Sequence, residues 1–448
     1  MSAPREARPP AVPATAQQGG EVLDRWFWTE PGVWTERMLT ALEQGVKGNV
    51  WFRLIDKVWS ERNLRASYSK VAANGGAPGV DHITVEAFGD DLDANVAKLT
   101  AALHEGSFEP QAIRRTYIPK PGSREQRPLG IPTVRDRVVQ GAIRHVIEPI
   151  FEKEFATHSY GFRPGRGCKD ALRRVDELMR KGYVYVVDAD LKSYFDTIPH
   201  DRLLSRLRER IADGRLLKLI ESFLKAGVLD GLEEWEPEAG APQGAVLSPL
   251  LSNIYLNPLD HQLAAQGIEM VRYADDFVIL CRSQAEAEHA LAQVRQWCEA
   301  EGLVLHPNKT KIVDVRTEGF DFLGYHFQTT RRGILTGWPR KKSMAKLKDT
   351  LRTKTKRTDG RSLQCIIADI NRTLRGWFGY FKHSYHTTFT NVDGWVRGRL
   401  RSILRKRAGR RGRGRGQDHQ RWPNAYFAEQ GYFCLEAAHA AACQSSRG

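Results

Sequence analysis

Two adjacent carboxylates, Asp275 and Asp276, lie inside Val271 to Cys281 (Val-Arg-Tyr-Ala-Asp-Asp-Phe-Val-Ile-Leu-Cys), between runs rich in β-branched and aromatic residues. The pattern predicts a tight hairpin with its acids at the bend. Taken alone, Asp-Asp at such a place is also ordinary turn chemistry, because Asp bonds its own backbone and tolerates sharp bends. A third acid shifts the balance. Tyr183 to Asp190 (Tyr-Val-Tyr-Val-Val-Asp-Ala-Asp) reads as another strand that ends on carboxylates, and a hard divalent cation needs several such oxygens converging from different strands. Three acids from two strand ends would make a two-cation site. Such a site activates an attacking hydroxyl and stabilises a leaving pyrophosphate, which is the chemistry of nucleotidyl transfer.

The elements that must position these acids follow from the flanking pattern. After Asp190, the stretch from Asp201 to Ala226 reads as two helices broken near Gly214. Gly240 to Asn253 (Gly-Ala-Pro-Gln-Gly-Ala-Val-Leu-Ser-Pro-Leu-Leu-Ser-Asn) is a glycine-flanked loop running into a helix, where bare backbone can approach a ligand closely. Beyond the acidic hairpin, Ser283 to Gly302 is a helix, with Ser283 and Glu286 as a capping box and Gly302 as its stop. Strand-like pieces at Leu303 to Leu305 and Lys311 to Val315 follow. The order strand, helices, hairpin, helix, strand matches a split βαβ unit of ferredoxin-like type, so the fold class is α+β.

Upstream, Trp26, Trp28, Trp34, Trp51 and Trp59 fall among amphipathic helices and read as core. Asn74 to Asp81 is a turn-dense loop. Ala112 to Lys120 and Arg127 to Pro132 read as a hairpin edged by Arg114, Arg115, Lys120, Arg124 and Arg127. Those cations are either plain surface charge or a clamp for a triphosphate. Downstream, Phe320 to Phe327 is an apolar strand or hairpin. Apolar stripes at Leu363 to Phe381 and Val392 to Leu404, with a basic helix at Lys341 to Arg357, predict a small bundle.

Charge separates the two halves. Residues 331–448 carry 27 Lys and Arg against 7 Asp and Glu, whereas residues 1–330 carry 41 against 46. The +15 of the whole chain is therefore entirely C-terminal, as a polyanion-binding module on a near-neutral catalytic body would be. The Arg/Gly tract from Arg405 to Gly416 predicts a segment that stays flexible until it meets nucleic acid, and the aromatic tail after it is expected to dock on the bundle. Cys168, Cys281, Cys298, Cys365, Cys434 and Cys443 are scattered, with neither Cys-x-x-Cys nor zinc spacing, which points to a reducing cytoplasm. No apolar run approaches a membrane span, and Met1 to Gly20 reads as a disordered leader.

Taken together, Asp190-Leu-Lys-Ser-Tyr-Phe-Asp196, Pro242-Gln243-Gly244 through Ser248-Pro249 and Asn253, Tyr273-Ala-Asp-Asp276, and Phe322-Leu323-Gly324 resemble the reverse transcriptases encoded by bacterial group II introns. Ile370 to Trp377, followed by Tyr380-Phe381, resembles the maturase, or thumb, domain of that family. The resemblance implies a right-hand polymerase with a ferredoxin-like palm, helical fingers with hairpins, and an all-α thumb. Its boundaries would be a leader at 1–20, an N-terminal extension and fingers at 21–140, and a palm at 141–330 with finger helices inserted about 200–235. The thumb would span 331–404 and a basic nucleic-acid-binding region 405–448. Departures are His82 where glycine is common, Pro199 before His200, and Gly379 in the maturase helix. The ending resembles the class that lacks an endonuclease module.

Residue roles carry over from the same resemblance. Asp190, Asp275 and Asp276 would hold two Mg²⁺, with Mn²⁺ as a substitute. Lys309 would protonate the leaving pyrophosphate. Lys120, Arg127, Gln243 and Gly244 would contact the incoming dNTP, and the Phe195 ring would crowd a 2′-hydroxyl. Phe322, Leu323 and Gly324 would grip the primer end, while Arg372, Arg375, Arg405, Arg410 and Arg411 would bind RNA. The implied partners are intron RNA, a DNA target with its primer strand, and dNTPs, in a bacterial cytoplasm, with no membrane and no protein partner evident. The rival readings are a splicing cofactor that only binds RNA and a template-independent or RNA-making polymerase.

Overall fold

The computed structural model describes residues 25–119, 126–412 and 416–445. The leader expected at 1–20, together with Lys120 and Arg124, lies outside the described residues. The chain divides into two units, Met1–Ala171 with Val187–Ile279 and Ala285–Lys311, and Leu172–Val186 with Leu280–Gln284 and Ile312–Gly448.

The sheet carrying the acids has the strand order β6-β7-β3-β8, with β3 at Tyr185–Asp190, β6 at Glu269–Tyr273, β7 at Asp276–Cys281 and β8 at Lys311–Asp314. This is the ferredoxin-like arrangement that the element order predicts. The interrupted pair of helices expected after β3 is present as His200–Arg208 and Gly214–Leu224. Asp213 starts the second helix by accepting the Arg215 and Leu216 amides, and its other oxygen accepts the Leu54 and Ile55 amides. One buried carboxylate thus accepts from four otherwise unpartnered amides at the starts of two helices, Ile55–Val58 and Gly214–Leu224. Leu303 to Leu305 is not a strand. It contributes a single bridge, Leu191 with Leu305.

Another sheet, wholly within the first unit, has the order β2-β1-β4-β5. Strand β1 (Ile113–Pro119) pairs antiparallel with β2 (Gln126–Ile131) and parallel with β4 (Val228–Asp230), and β4 turns back into β5 (Glu233–Trp235). The hairpin matches the sequence expectation, whereas β4 and β5 are additions to it. Behind them the helix Val134–Glu152 is buried over most of its length. Trp26, Trp34 and Trp51 are core, as expected. The turn-dense loop before Asp81 is pinned by Arg114, whose Nε and Nη2 donate to the Pro78 carbonyl at 3.1 and 2.6 Å. His82 takes φ +57°, left-handed backbone that explains why glycine is favoured at its position.

The second unit holds β9 (Phe320–Phe322), β10 (Tyr325–Thr329) and β11 (Leu335–Pro339) in the order β11-β10-β9. Helices Lys341–Lys354, Leu363–Phe381 and Thr387–Arg407 then share one core with Trp422, Phe427, Tyr432 and Leu435 of the tail. Each fully buried Ile or Phe on this seam contributes about 1.5–3 kcal/mol. The last long helix runs through the boundary expected at 404. Asp393, buried on it, accepts the Tyr432 hydroxyl and the Leu435 and Glu436 amides, which fastens the start of the final helix, Leu435–Ser445.

Candidate active site

Asp190 is the last residue of β3, and Asp276 is the first residue of the neighbouring β7. Asp275 stands one residue earlier, in the turn. Asp275 is half-buried and Asp276 exposed. Burial lifts the Asp275 carboxyl above its ordinary range and the Asp190 charge lifts it further, while its own backbone amide, Arg127 and Arg272 pull the other way. The two carboxylates are therefore within electrostatic reach of each other. Asp190 is met directly by Lys309, whose Nζ lies 2.8 Å from Oδ2. Its backbone carbonyl accepts the His306 amide at 2.7 Å, tying the strand end to the loop that carries Lys309.

Among the described residues, no group of three or more His, Cys, Asp or Glu side chains stands close enough to hold a metal ion by itself. The donor set still suits a hard divalent cation. It consists of three carboxylates, of which Asp190 and Asp275 repel each other, with Lys309 paired to Asp190.

Of the residues expected to meet the nucleotide, Phe195 and Gln243 line a cavity of about 430 Å³, together with Arg115, Gly130, Asp196 and Gly240 among others; Arg127 and Gly244 are not in its lining. Phe195 stands edge-on to Tyr194, with ring centroids 5.4 Å apart. Tyr194 is itself buried and donates its hydroxyl to the Ser252 carbonyl at 2.8 Å. The Gln243 carbonyl accepts the Gly130 amide at 2.6 Å, joining the loop to β2. Gly244 takes φ +106°, and a Cβ there would clash with the Gly130 carbonyl. This glycine is required twice, by conformation and by space. Arg127 is exposed on β2, and its charge acts to lower the Asp275 carboxyl. Arg115 caps the Trp235 ring at 4.9 Å. Lys120 lies outside the described residues.

In the second unit, Leu323 and Gly324 form the two-residue turn between β9 and β10, at φ +45° and +84°. A turn with both residues left-handed matches the strand twist. The Leu323 carbonyl accepts the Tyr380 hydroxyl at 2.7 Å, and the Gly324 carbonyl accepts the Arg340 amide and the Ser343 hydroxyl at 2.9 and 3.0 Å. Phe322 is buried beneath them. Of the expected RNA-binding arginines, Arg410 and Arg411 are exposed, Arg372 is exposed beside Asp369, and Arg375 lies over the Phe433 ring at 5.1 Å. Arg405 is engaged internally. It donates to the buried Asp418 carboxylate and to the Arg411 carbonyl.

One residue of the site carries no prominence in the sequence. Arg272 is fully buried behind the acidic turn and donates to Asp260, Asn253 and the Ala274 carbonyl. A lone cation inside a run of Met, Val and Tyr was its only signal.

Residues 118–327 match the family profile described as reverse transcriptase (RNA-dependent DNA polymerase), and residues 344–422 match the group II intron, maturase-specific domain. Protein YkfC of Escherichia coli (strain K12) is 34% identical over 343 residues, an alignment spanning 68% of this chain and 86% of the relative. The chain belongs to the group II intron-encoded reverse transcriptase and maturase family. Group II intron-encoded protein LtrA of Lactococcus lactis subsp. cremoris is 39% identical over 196 residues, 43% of this chain and 32% of the relative. The chain thus spans 86% of one curated relative and about a third of the other. Among solved structures, a chain of a partial Cas6-RT-Cas1–Cas2 complex shares 24% identity at a TM-score of 0.37, covering 55% of this chain and 43% of that one.

In this reverse transcriptase, the polymerase match opens at Ile118 in β1 and closes at Phe327 in β10. It encloses both acidic strand ends, the Gln243 loop and the Leu323 turn. The maturase match opens at Met344, inside the helix Lys341–Lys354, and runs to Trp422, just after the helix Gln417–Arg421. Reverse transcriptases use divalent metal ions. No helix of the described residues is long and apolar enough to cross a membrane.

Proposed function

We propose that the chain copies intron RNA into DNA at Asp190, Asp275 and Asp276, and that its C-terminal helices bind the same RNA to promote splicing and intron mobility. The observation that carries this reading is the pairing of strand ends. The acid that closes β3 and the acid in the turn before β7 feel each other's charge, inside the span matched to reverse transcriptases.

When bound to these carboxylates, divalent cations, Mg²⁺ with Mn²⁺ as a substitute, would activate a primer 3′-hydroxyl and neutralise the triphosphate. The chain's own groups do the rest. Lys309 supplies a positive charge and a transferable proton at Nζ, beside Asp190. Arg127 neutralises the triphosphate from β2, and Lys120, which lies outside the described residues, is assigned the same role. The bond from Gly130 to Gln243 fixes the loop that meets the nucleotide, and Gly244 lets backbone come close. The Phe195 ring narrows the side where a ribose would carry its 2′-hydroxyl. Phosphoryl transfer asks mainly for such positioning and charge neutralisation.

The same reading assigns the extension and fingers to 21–140, the palm to 141–330 with its insertion near 200–235, and the thumb from 331. The thumb continues past 404, because the helix ending at Arg407 and the tail share its core. Phe322, Leu323 and Gly324 serve the primer end, and Arg372, Arg375, Arg410 and Arg411 serve RNA phosphates. Intron RNA, target DNA, the primer strand and dNTPs are the partners, in a bacterial cytoplasm.

Primer extension on an RNA template tests the assignment. Asp275→Ala is expected to abolish cDNA synthesis while intron RNA binds as it does to the parent protein. Retained synthesis would refute the site. A parent protein that binds RNA but never extends a primer would favour the cofactor-only reading.

A further inference from the structure

The turn that carries Asp275 rests on a charge removed from water. Arg272, in β6, is fully buried, and its guanidinium is spent on three neighbours. Nε donates to Asp260 Oδ1 at 2.8 Å and Nη2 to Asp260 Oδ2, while Nη1 donates at 2.9 Å to both Asn253 Oδ1 and the Ala274 carbonyl. Ala274 immediately precedes Asp275. It sits at φ +61°, a left-handed conformation that a residue with a side chain keeps only where its surroundings impose it.

Gly161 closes the other side, since a Cβ there would clash with the Ala274 nitrogen. The Gly161 carbonyl accepts from Asn253 Nδ2 at 2.8 Å, so the asparagine that takes Arg272 also holds the segment backing the turn. The Arg272 backbone is fixed as well, donating to His158 at 3.0 Å and accepting from Tyr160 at 2.8 Å. An ion pair this deeply buried is no net source of stability compared with well-packed apolar residues. What apolar residues cannot supply is a rigid fork of donors. One tine of that fork ends on the carbonyl next to the acid.

We propose that Arg272 is a positioning residue for the polymerase reaction, clamping the Ala274 carbonyl so that the left-handed turn presents Asp275 in one fixed direction. The inference rests on the assignment of Asp275 to the metal-binding carboxylates.

Arg272→Lys keeps the charge beside Asp260 and loses the fork. In the full chain, its affinity for an RNA-template primer duplex should stay near that of the parent, while its thermal midpoint falls with the buried hydrogen bonds that lysine cannot replace. Its kcat for primer extension should fall by about a hundredfold, the scale of a small misplacement of reacting groups, with KM for dNTP little changed. Mn²⁺ affinity, read by electron paramagnetic resonance without substrate, should fall too. Adding Ala274→Gly should recover part of kcat, because glycine takes positive φ without a clamp. If Arg272→Lys does not fold, Arg272→Met with Asp260→Leu carries the same measurements.

Parent-like kcat and Mn²⁺ affinity in the folded variant would overturn the proposal. So would a loss that follows the thermal midpoint and is untouched by Ala274→Gly. Asp275→Ala keeps the two failures apart. If it stays active, the site assignment falls; if it is dead while the Arg272 variant works normally, only this inference falls.

Discussion

The Lys309 ammonium stands 2.8 Å from the Asp190 carboxylate, and both side chains remain open to solvent, at 60% and 43% exposure. An ion pair this exposed contributes at most about 1 kcal/mol to stability. A proton donor in the transition state is worth about a hundredfold or more in rate. Lys309→Ala should therefore leave the melting temperature within a degree or two of the parent while single-turnover primer extension slows by about a hundredfold. An equal change in both would mark the lysine as structural.

Phe195 is half-buried at the cavity wall, with Tyr194 holding its segment from below. Phe195→Ala should remove the ring without unseating the backbone. The ratio of kcat/KM for ribonucleotides to that for deoxyribonucleotides is expected to rise by about tenfold or more, the order available to one steric contact in a pocket. An unchanged ratio, measured nucleotide by nucleotide, would remove the sugar gate from Phe195.

Asp136 is 1% exposed, and its Oδ1 has no hydrogen-bond partner. Burial raises its carboxyl from 3.8 to about 6, with partial relief from Thr133, the Gln111 amide and Arg135. The folded chain then binds this proton more tightly than the unfolded chain does. Stability contributed here is present below pH 4 and is lost as pH rises toward 6, by about 3 kcal/mol for a shift of this size. Asp136→Asn should flatten that part of the profile, seen as a smaller drop in thermal midpoint between pH 4 and 7. An unaltered profile would show that the carboxyl titrates normally.

Arg405 and the Arg410–Arg411 pair should separate cleanly. Arg405→Ala takes a cation from the buried Asp418 and is expected to cost about 3 kcal/mol, read as a lower unfolding midpoint of the C-terminal helices. Arg410→Ala with Arg411→Ala should leave that midpoint alone. The double variant should weaken RNA binding and reduce its salt dependence by up to about two ion releases. A filter-binding titration across salt concentrations would detect the difference, and parent-like slopes would exclude the pair from the RNA surface.

The acidic strands were legible because Asp190, Asp275 and Asp276 interrupt β-branched runs that otherwise read as buried strand. The helices after Leu363 were legible for a similar reason, their apolar residues recurring at steps of three and four. Strands β4 and β5 were not, since three residues each are too few for a period and β4 finds its partner far upstream in β1. Leu303 to Leu305 carries strand-like residues but makes one bridge. Arg272 hid because one polar residue in a strand reads as its solvent face, and only packing reveals a buried partner such as Asp260. Arg405 looked like the start of an Arg/Gly tract, whereas its helix continues to Arg407 and its charge is spent on Asp418.

The parallel pairing of Ile113 with Val228 has a consequence for how the chain is made. On the ribosome, β1 and β2 emerge together and can close at once as a local hairpin, but β1 must keep one edge open until the segment beyond Leu224 has been synthesised. An uncovered strand edge invites pairing with a neighbouring nascent chain. Slow or paused translation between Pro132 and Gly227 should therefore be the window in which this polypeptide is most prone to aggregate.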